Sequence, residues 1–386
     1  MIRHTVRLAL CLVLLPSALA AQGRLVIAGG GVSRGNADLY RTVLEGRSGT
    51  GPICVIPTAS AGLDAARNSM NSSVATFEQH GGPGAATGIL MSIDNPESAS
   101  DPDVVARFSE CSGFYFTGGV QSRTVSVFRP DGRDTPALEA LLRRYSEGAL
   151  VGGSSAGAAI MSDPMIAGGS TTTAIAGGVR RNTGGTDDDD GSAGGVSITR
   201  GIGFLASAIV DQHFLARGRI GRLIAAVLEV EEFDLGFGVD EDTGLVVDGT
   251  TAFAAGASGV IVVDARDAVR DGRSATGVKL HLMGVGDRYD IASRRLTPDA
   301  GKVALPRTTS VVPAPEDVFA RWEFLHLLER FARSSQQRLE IPVEGATLTL
   351  SKGADFHAAA AGSGEGPQGS PPGFTVQGLL LDVRIP

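Results

Sequence analysis

The sequence predicts an α/β protein built on a parallel sheet covered on both faces, followed by a β-rich C-terminal extension. Three observations carry that prediction. Short, unbroken apolar runs alternate with helix-compatible stretches from residue 24 to about residue 250, and strands buried on both faces read as such runs. Several of the runs end in small, polar segments: Gly118-Gly119-Val120-Gln121, Gly153-Ser154-Ser155-Ala156-Gly157 and Asp211-Gln212-His213. Open α/β sheets hold their ligands at those carboxyl ends. Beyond residue 250 the pattern changes to strands at 259–263, 278–283, 346–350 and 374–385, interrupted by one long helix over 316–331.

A chain of 386 residues accommodates one large α/β domain with an appendage, or two domains. Hydrophobic residues at 42% and charged ones at 20% place it among globular proteins rather than disordered chains. The formal charge of −8 argues against nucleic acid as a partner, which would call for concentrated basic patches. With 53 glycines and only 5% aromatics, the expectation is many tight turns around an aliphatic core.

Residues 1–20 read as a secretory leader. Arg3, His4 and Arg7 precede an apolar run over 8–15, and Ala18-Leu19-Ala20 offers a small-x-small cleavage site. The run is too short for a bilayer, which needs about 20 residues, and no later segment reads as a span. The expectation is a protein secreted or periplasmic after cleavage near Ala20. Cys54 and Cys111 then remain, an even number in an oxidising compartment, so one disulfide is open to them. Cys54 lies inside the apolar strand 53–56, however, and the reading preferred from sequence is a buried small hydrophobe.

From residue 25 the elements follow in order. The strand 25–28 runs into Gly29-Gly30-Gly31, and residues 37–44 are helical. The strand 53–56 is closed by Pro57. An amphipathic helix over 62–80 stops at Gly81-Gly82-Pro83. The strand 114–116 runs into Gly118-Gly119, the helix 136–145 starts on Pro136, and 150–153 is again a strand. The stretch 358–372, rich in Gly, Ala, Ser and Pro, reads as a flexible loop.

Gly153-Ser154-Ser155-Ala156-Gly157 fits G-x-S-x-G between a strand and a helix-compatible run. A serine on such a turn projects its hydroxyl outward, and the following N–H faces a developing oxyanion. The competing reading is a tight turn without chemistry. A nucleophilic serine needs a base. Of the six histidines, His213 ends the strand 208–210, with Asp211 and Gln212 before it and Arg217, Arg219 and Arg222 after it. Asp211 and His213, two apart, are expected on one strand face. Guanidinium groups at a pocket mouth bind carboxylates bidentately, so the constellation points to a hydrolase acting on a carboxylate-bearing peptide. A solvated helix face is the alternative reading of the arginines.

At these segments the chain resembles the cyanophycinase family of serine peptidases, relatives of the aspartyl dipeptidase peptidase E. The resemblance lies in residues 116–121, 152–158, 211–214 with the three arginines, and 236–241. It spans about residues 24–300, in the family's order. It implies a three-layer α/β/α sandwich like the class I glutamine amidotransferases, with Ser155 as nucleophile and His213 as general base. Backbone amides at Gly119 and Ala156 would hold the oxyanion. Gln121, Asp211, Gln212, Arg217, Arg219 and Arg222 would line the substrate pocket, and neither metal nor cofactor would be required. The implied substrate is cyanophycin, a polyaspartate bearing arginine on each side-chain carboxyl, cleaved to β-Asp-Arg dipeptides.

Two departures accompany the match. Val120 stands where the family usually has Asp. The region where the family carries its third triad member reads 168–173, Gly-Gly-Ser-Thr-Thr-Thr, without a carboxylate. Asp211 is one substitute, and the acidic run Asp187 to Asp190 is another. The domain reading is a leader over 1–20, a catalytic α/β/α domain over 21–300 and an extension over 301–386 of unassigned role, open as an accessory β-rich domain or a homodimer contact. A serine esterase sharing G-x-S-x-G would place a late histidine, His326 or His357, beside Ser155. A second rival is an inactive peptide-binding homologue that lacks the acid.

Overall fold

The computed structural model describes residues 22–181 and 194–386. The leader read over 1–20 and the acidic run at 187–190 lie outside the described residues. The chain opens with β1 (Leu25–Ala28), α1 (Ala37–Glu45), β2 (Ile53–Ile56), α2 (Leu63–Gly81), β3 (Ala86–Gly88), α3 (Pro102–Arg107), β4 (Gly113–Phe116), α4 (Gln121–Phe128), α5 (Pro136–Ser146), β5 (Leu150–Ser154) and α6 (Ala156–Ala159). A small three-stranded sheet follows, from β6 (Met165–Gly169), β7 (Val179–Arg181) and β8 (Val196–Thr199), with α7 (Ala174–Gly177) between the first two. The chain continues through β9 (Ile209–Asp211), α8 (Ile220–Glu229), β10 (Leu235–Val239), β11 (Thr243–Asp248), β12 (Thr251–Gly256), β13 (Val260–Asp264), β14 (Val269–Asp271) and β15 (Ser274–Met283). It ends with β16 (Arg288–Asp290), β17 (Arg295–Thr297), β18 (Val303–Ala304), α9 (Glu323–Arg333), β19 (Arg338–Val343), β20 (Ala346–Ala360) and β21 (Thr375–Arg384).

The first large sheet has the order β17-β16-β12-β11-β1-β5-β4-β2-β3. Its block β1-β5-β4-β2-β3 is parallel throughout, and the flank from β11 to β17 is antiparallel. The apolar runs alternate across it as strands must. Val26 and Ala28 pack with Leu39, Val43 and Phe77 of α1 and α2, whereas Leu25 and Ile27 pack with Phe114, Leu138 and Leu141 on the opposite face. Helices therefore cover both faces of the parallel block, the α/β/α arrangement expected.

The second large sheet runs β18-β20-β21-β15-β13-β10-β9. Leu235, Phe237 and Val239 of β10 join the cluster of Leu25, Ile27 and Leu245, so this sheet covers the antiparallel flank of the first. Its other face carries α8 and α9, through residues such as Leu223, Val227 and Leu328 against Ile261 and Val263. Residues 301–386 enter here: β21 pairs with β15 and β20 with β21, continuing the sheet that begins with β9 and β10. Two boundaries differ from expectation. The late helix starts at Glu323 rather than 316, because the preceding segment turns through left-handed Trp322 to lay Phe319 against Gly218 and Gly221. The strand β20 extends to Ala360, so the loop expected from 358 begins later.

Cys54 and Cys111 form a disulfide, correcting the preferred reading of two buried thiols. Adjacent parallel pairing of β2 with β4 sets Ile53 opposite Gly113 and brings the two cysteines to a Cα separation of 5.7 Å. That register is invisible before the strand order is known. A bridge spanning 57 residues restricts the unfolded chain by about 4 kcal/mol in the chain-entropy account. A C54S/C111S variant should therefore unfold at lower urea, with a loss approaching that figure, and denatured wild type should titrate two more thiols after reduction than before.

Candidate active site

Ser155 follows β5 and caps α6, with φ 56° and ψ −111°. For a non-glycine residue this is a strained conformation, costing about 1–3 kcal/mol. The turn closes tightly enough that a Cβ on Gly153 would press on the backbone of Gly157, and one on Gly157 would strike the Phe116 carbonyl. Both glycines of G-x-S-x-G are thus required by close approach. The Ser155 N–H donates to the Ala28 carbonyl at 3.0 Å, pinning the turn to β1.

His213 lies just past β9, with φ 48°, and its N–H donates to the Gly29 carbonyl at 2.6 Å. A Cβ on Gly30 would fall inside the imidazole, so the Gly29-Gly30-Gly31 run makes the ring's berth. His213 Nε2 is 2.9 Å from Ser155 Oγ, and Nδ1 is 2.7 Å from Glu241 Oε1. An ionised carboxylate only accepts, so Nδ1 carries the proton in the neutral ring and Nε2 accepts from the serine hydroxyl. Burial pushes the His213 pKa down from 6.5; the Glu241 hydrogen bond opposes this, and Arg217 and Arg219 reinforce it.

Glu241 held no role in the sequence reading, although it ends the quoted segment 236–241. Three acids in a row leave β10 and separate by direction. Asp240 is buried and accepts from the Ala216 N–H at 2.9 Å, and its burial raises its pKa. Asp242 accepts from the Ser33 N–H and from Asn36. Glu241 alone faces the histidine, and its other oxygen is 3.6 Å from Arg321 Nη2, delivered by the C-terminal region. A carboxylate at the carboxyl end of a strand beside the Asp-Gln-His strand is the signal that marks it.

Asp211 does not face Ser155. It accepts from Arg222 Nη2 at 2.6 Å and Nε at 3.0 Å, a bidentate pair in which the side chains are 1% and 5% exposed. The chain leaves strand geometry after Asp211, so the expected shared face with His213 is lost. Arg219 Nη1 is 3.6 Å from the same carboxylate and donates to the Gln212 carbonyl at 2.7 Å. Arg217 is exposed. Gln121 donates its amide to the Ile166 and Ala167 carbonyls. The Gln212 side-chain oxygen is buried with no hydrogen-bond partner among the described residues. Nor does any backbone carbonyl there accept from the N–H of Gly119 or Ala156. His326 lies against Gly369 and His357 within β20, so neither late histidine is the one at Ser155. No group of three His, Cys, Asp or Glu among the described residues could hold a metal ion.

The curated relatives define a hydrolase of the peptidase class. No family model matches the chain. It is 31% identical over 227 residues to a cyanophycinase of Nostoc sp., covering 56% of this chain and 69% of that protein. A cyanophycinase of Synechococcus elongatus is 28% identical over 219 residues, or 54% and 61% of the two chains. The chain belongs to the cyanophycinase family. Among solved structures, a peptidase from an acI-B1 Actinobacterium is 19% identical, with a TM-score of 0.46 over 63% of this chain and 91% of that one. A putative peptidase E from Listeria monocytogenes gives a TM-score of 0.37 at 15% identity, over 62% and 100%.

Two measurements check this geometry. In an NMR titration His213 should lose its proton below the 6.5 of a free imidazole; Glu241→Gln should lower that midpoint further and Arg217→Gln should raise it. Arg222→Ala leaves the buried Asp211 without its bidentate partner, with only Arg219 at 3.6 Å as counter-charge, and should cost about 3 kcal/mol in a urea melt.

Proposed function

We propose that this chain is an exported serine peptidase of the cyanophycinase type, with Ser155 as nucleophile, His213 as base and Glu241 as the orienting acid. The observation that carries the reading is the chain of hydrogen bonds Ser155–His213–Glu241, at 2.9 and 2.7 Å. Attack of Ser155 Oγ on the peptide carbonyl passes its proton to His213 Nε2, which hands it to the departing amine. Water then releases the acyl group by the same proton path. The N–H groups of Gly119 and Ala156, free of backbone acceptors, would take the oxyanion charge. Arg219, Arg217 and the unpartnered oxygen of Gln212 supply polar contacts to substrate. The buried Asp211–Arg222 pair holds Arg219 and Gln212 in place, and Gln121 is anchored beside them by β6.

Cyanophycin, the substrate named for the relatives, is the first candidate, with β-Asp-Arg as product; small aspartyl peptides are the second. The reading of an inactive binding protein rested on a missing acid, and the 2.7 Å contact of Glu241 with His213 supports the active reading over it. The esterase reading needed a late histidine at the serine. No helix among the described residues is long and apolar enough to cross a membrane. Export is supported by the leader-like layout of 1–20 and by the paired cysteines, which persist in oxidising compartments.

Incubated with insoluble cyanophycin, wild type should release soluble β-Asp-Arg and Ser155→Ala should not; equal release by both would overturn the assignment. Glu241→Gln should lower kcat about 10²- to 10⁴-fold. Because the base must be neutral, kcat/KM should rise with pH along a limb whose midpoint lies below 6.5.

A further inference from the structure

A cavity of about 190 Å³ opens beside the serine turn, between α1, α2 and the carboxyl ends of β4 and β5. It lies on the α1–α2 face of the first sheet, whereas His213, Gln212 and Arg219 come from the sheet that covers the other face. The cavity touches Gly118, and a Cβ there would stand 3.3 Å from the Ser155 Cβ and 3.8 Å from its Oγ. A group occupying it is therefore a neighbour of the proposed reacting atom.

The lining is chemically one-sided. Tyr40, Ser69, Ser73, Thr76 and Thr117 are among its lining residues, with Arg34 as its charged residue and no carboxylate in the lining; the Thr76 hydroxyl donates to the Ser72 carbonyl at 2.9 Å. Arg34 Nη2 is held by Ser72 Oγ at 2.9 Å. Asp242 acts electrostatically on Tyr40, but its Oδ1 is taken by the Ser33 N–H and Asn36. The Thr117 hydroxyl is buried and has no hydrogen-bond partner among the described residues. Buried polar groups are seldom left so, because each costs about 1–3 kcal/mol, and a ligand that supplies an acceptor would relieve it.

We propose that this cavity is a second substrate subsite, which takes one acidic side chain or terminal carboxylate of the peptide, with Arg34 as counter-charge and Thr117 as donor. Its volume suits a single side chain. A guanidinium would meet Arg34 with no carboxylate to offset it, so the subsite selects against arginine and lysine there. The inference rests on the peptidase reading above and extends it, since it adds an acid-selective pocket on the α1–α2 side of the serine.

The test is the rate at which a small fluorophosphonate labels Ser155, with N-acetyl-glutamate amide, N-acetyl-glutamine amide or N-acetyl-arginine amide as protectants. The glutamate compound should protect wild type at least tenfold more effectively than the other two. Arg34→Gln should collapse that ratio towards one, Arg34→Lys should restore part of it, and Thr117→Val should reduce it several-fold. Equal protection by the three compounds in wild type, or a ratio unchanged in Arg34→Gln, overturns the subsite while labelling itself upholds the nucleophile. Wild type that is not labelled at all overturns both readings.

Discussion

The hydrogen bond between Ser155 and His213 joins two sheets. The serine rides on β5 of the parallel block and the histidine follows β9 of the second sheet, so the 2.9 Å contact exists only if the sheets pack in one register. That register is fixed close to the contact itself. The His213 N–H is bonded to the Gly29 carbonyl and the Ser155 N–H to Ala28, so both residues hang from the same end of β1. Behind them, Ile27 and Leu245 of one sheet meet Phe237 and Val239 of the other in a shared apolar cluster. Interiors at crystal-like density do not slide by fractions of an ångström without loss, and packing of this kind is what holds a proton-transfer distance.

Backbone strain gathers at the same place. Of the seven non-glycine residues with positive φ among those described, Ser155, His213, Asp242 and Trp322 lie in or against this site. Each such residue costs about 1–3 kcal/mol unless its side chain suits the conformation. Their bonds explain why they persist. Ser155 must turn out of β5 to expose its hydroxyl, His213 must leave β9 to reach it, and Asp242 turns back to bind Ser33 and Asn36 beneath Glu241. The strain is concentrated where side chains from different elements converge, as expected if it serves position rather than stability.

Much of this was legible in the sequence because it is local. The apolar runs, the glycine turns and G-x-S-x-G are written within a few residues, and their physics needs no partner. The late histidine of an esterase was likewise separable from His213 by chain order. The parts that were not legible depend on tertiary register. Glu241 is 28 residues from His213, flanked by two other acids, and only the direction of the chain leaving β10 decides which one faces the imidazole. Arg222 reaches Asp211 because α8 folds back over β9, and the same return holds Arg219 against Gln212. The cysteines meet because β2 and β4 are neighbours. For each of these pairs it is strand order that decides which residues touch.

The C-terminal region has a physical part in the site, beyond adding strands to the second sheet. After a run without regular structure the chain arrives at Arg321 and Trp322 just ahead of α9. The Trp322 N–H donates to the Leu215 carbonyl, two residues past His213, and the Arg321 guanidinium lies 4.1 Å above the indole. From there Arg321 reaches the Glu241 oxygen that the histidine leaves free. At 3.6 Å and with Arg321 63% exposed, solvent screens the pair, and its worth in stability is small. Its sense is what matters here: a cation on one carboxylate oxygen favours, by that small amount, the rotamer that keeps the other on Nδ1. A chain ending near residue 300 would keep Ser155, His213 and Glu241 yet lose both that cation and the Phe319 contact that backs the Gly218 turn. The late strands β20 and β21 tether the segment carrying Arg321 to the same sheet that carries the histidine, so the two arrive at Glu241 as parts of one body.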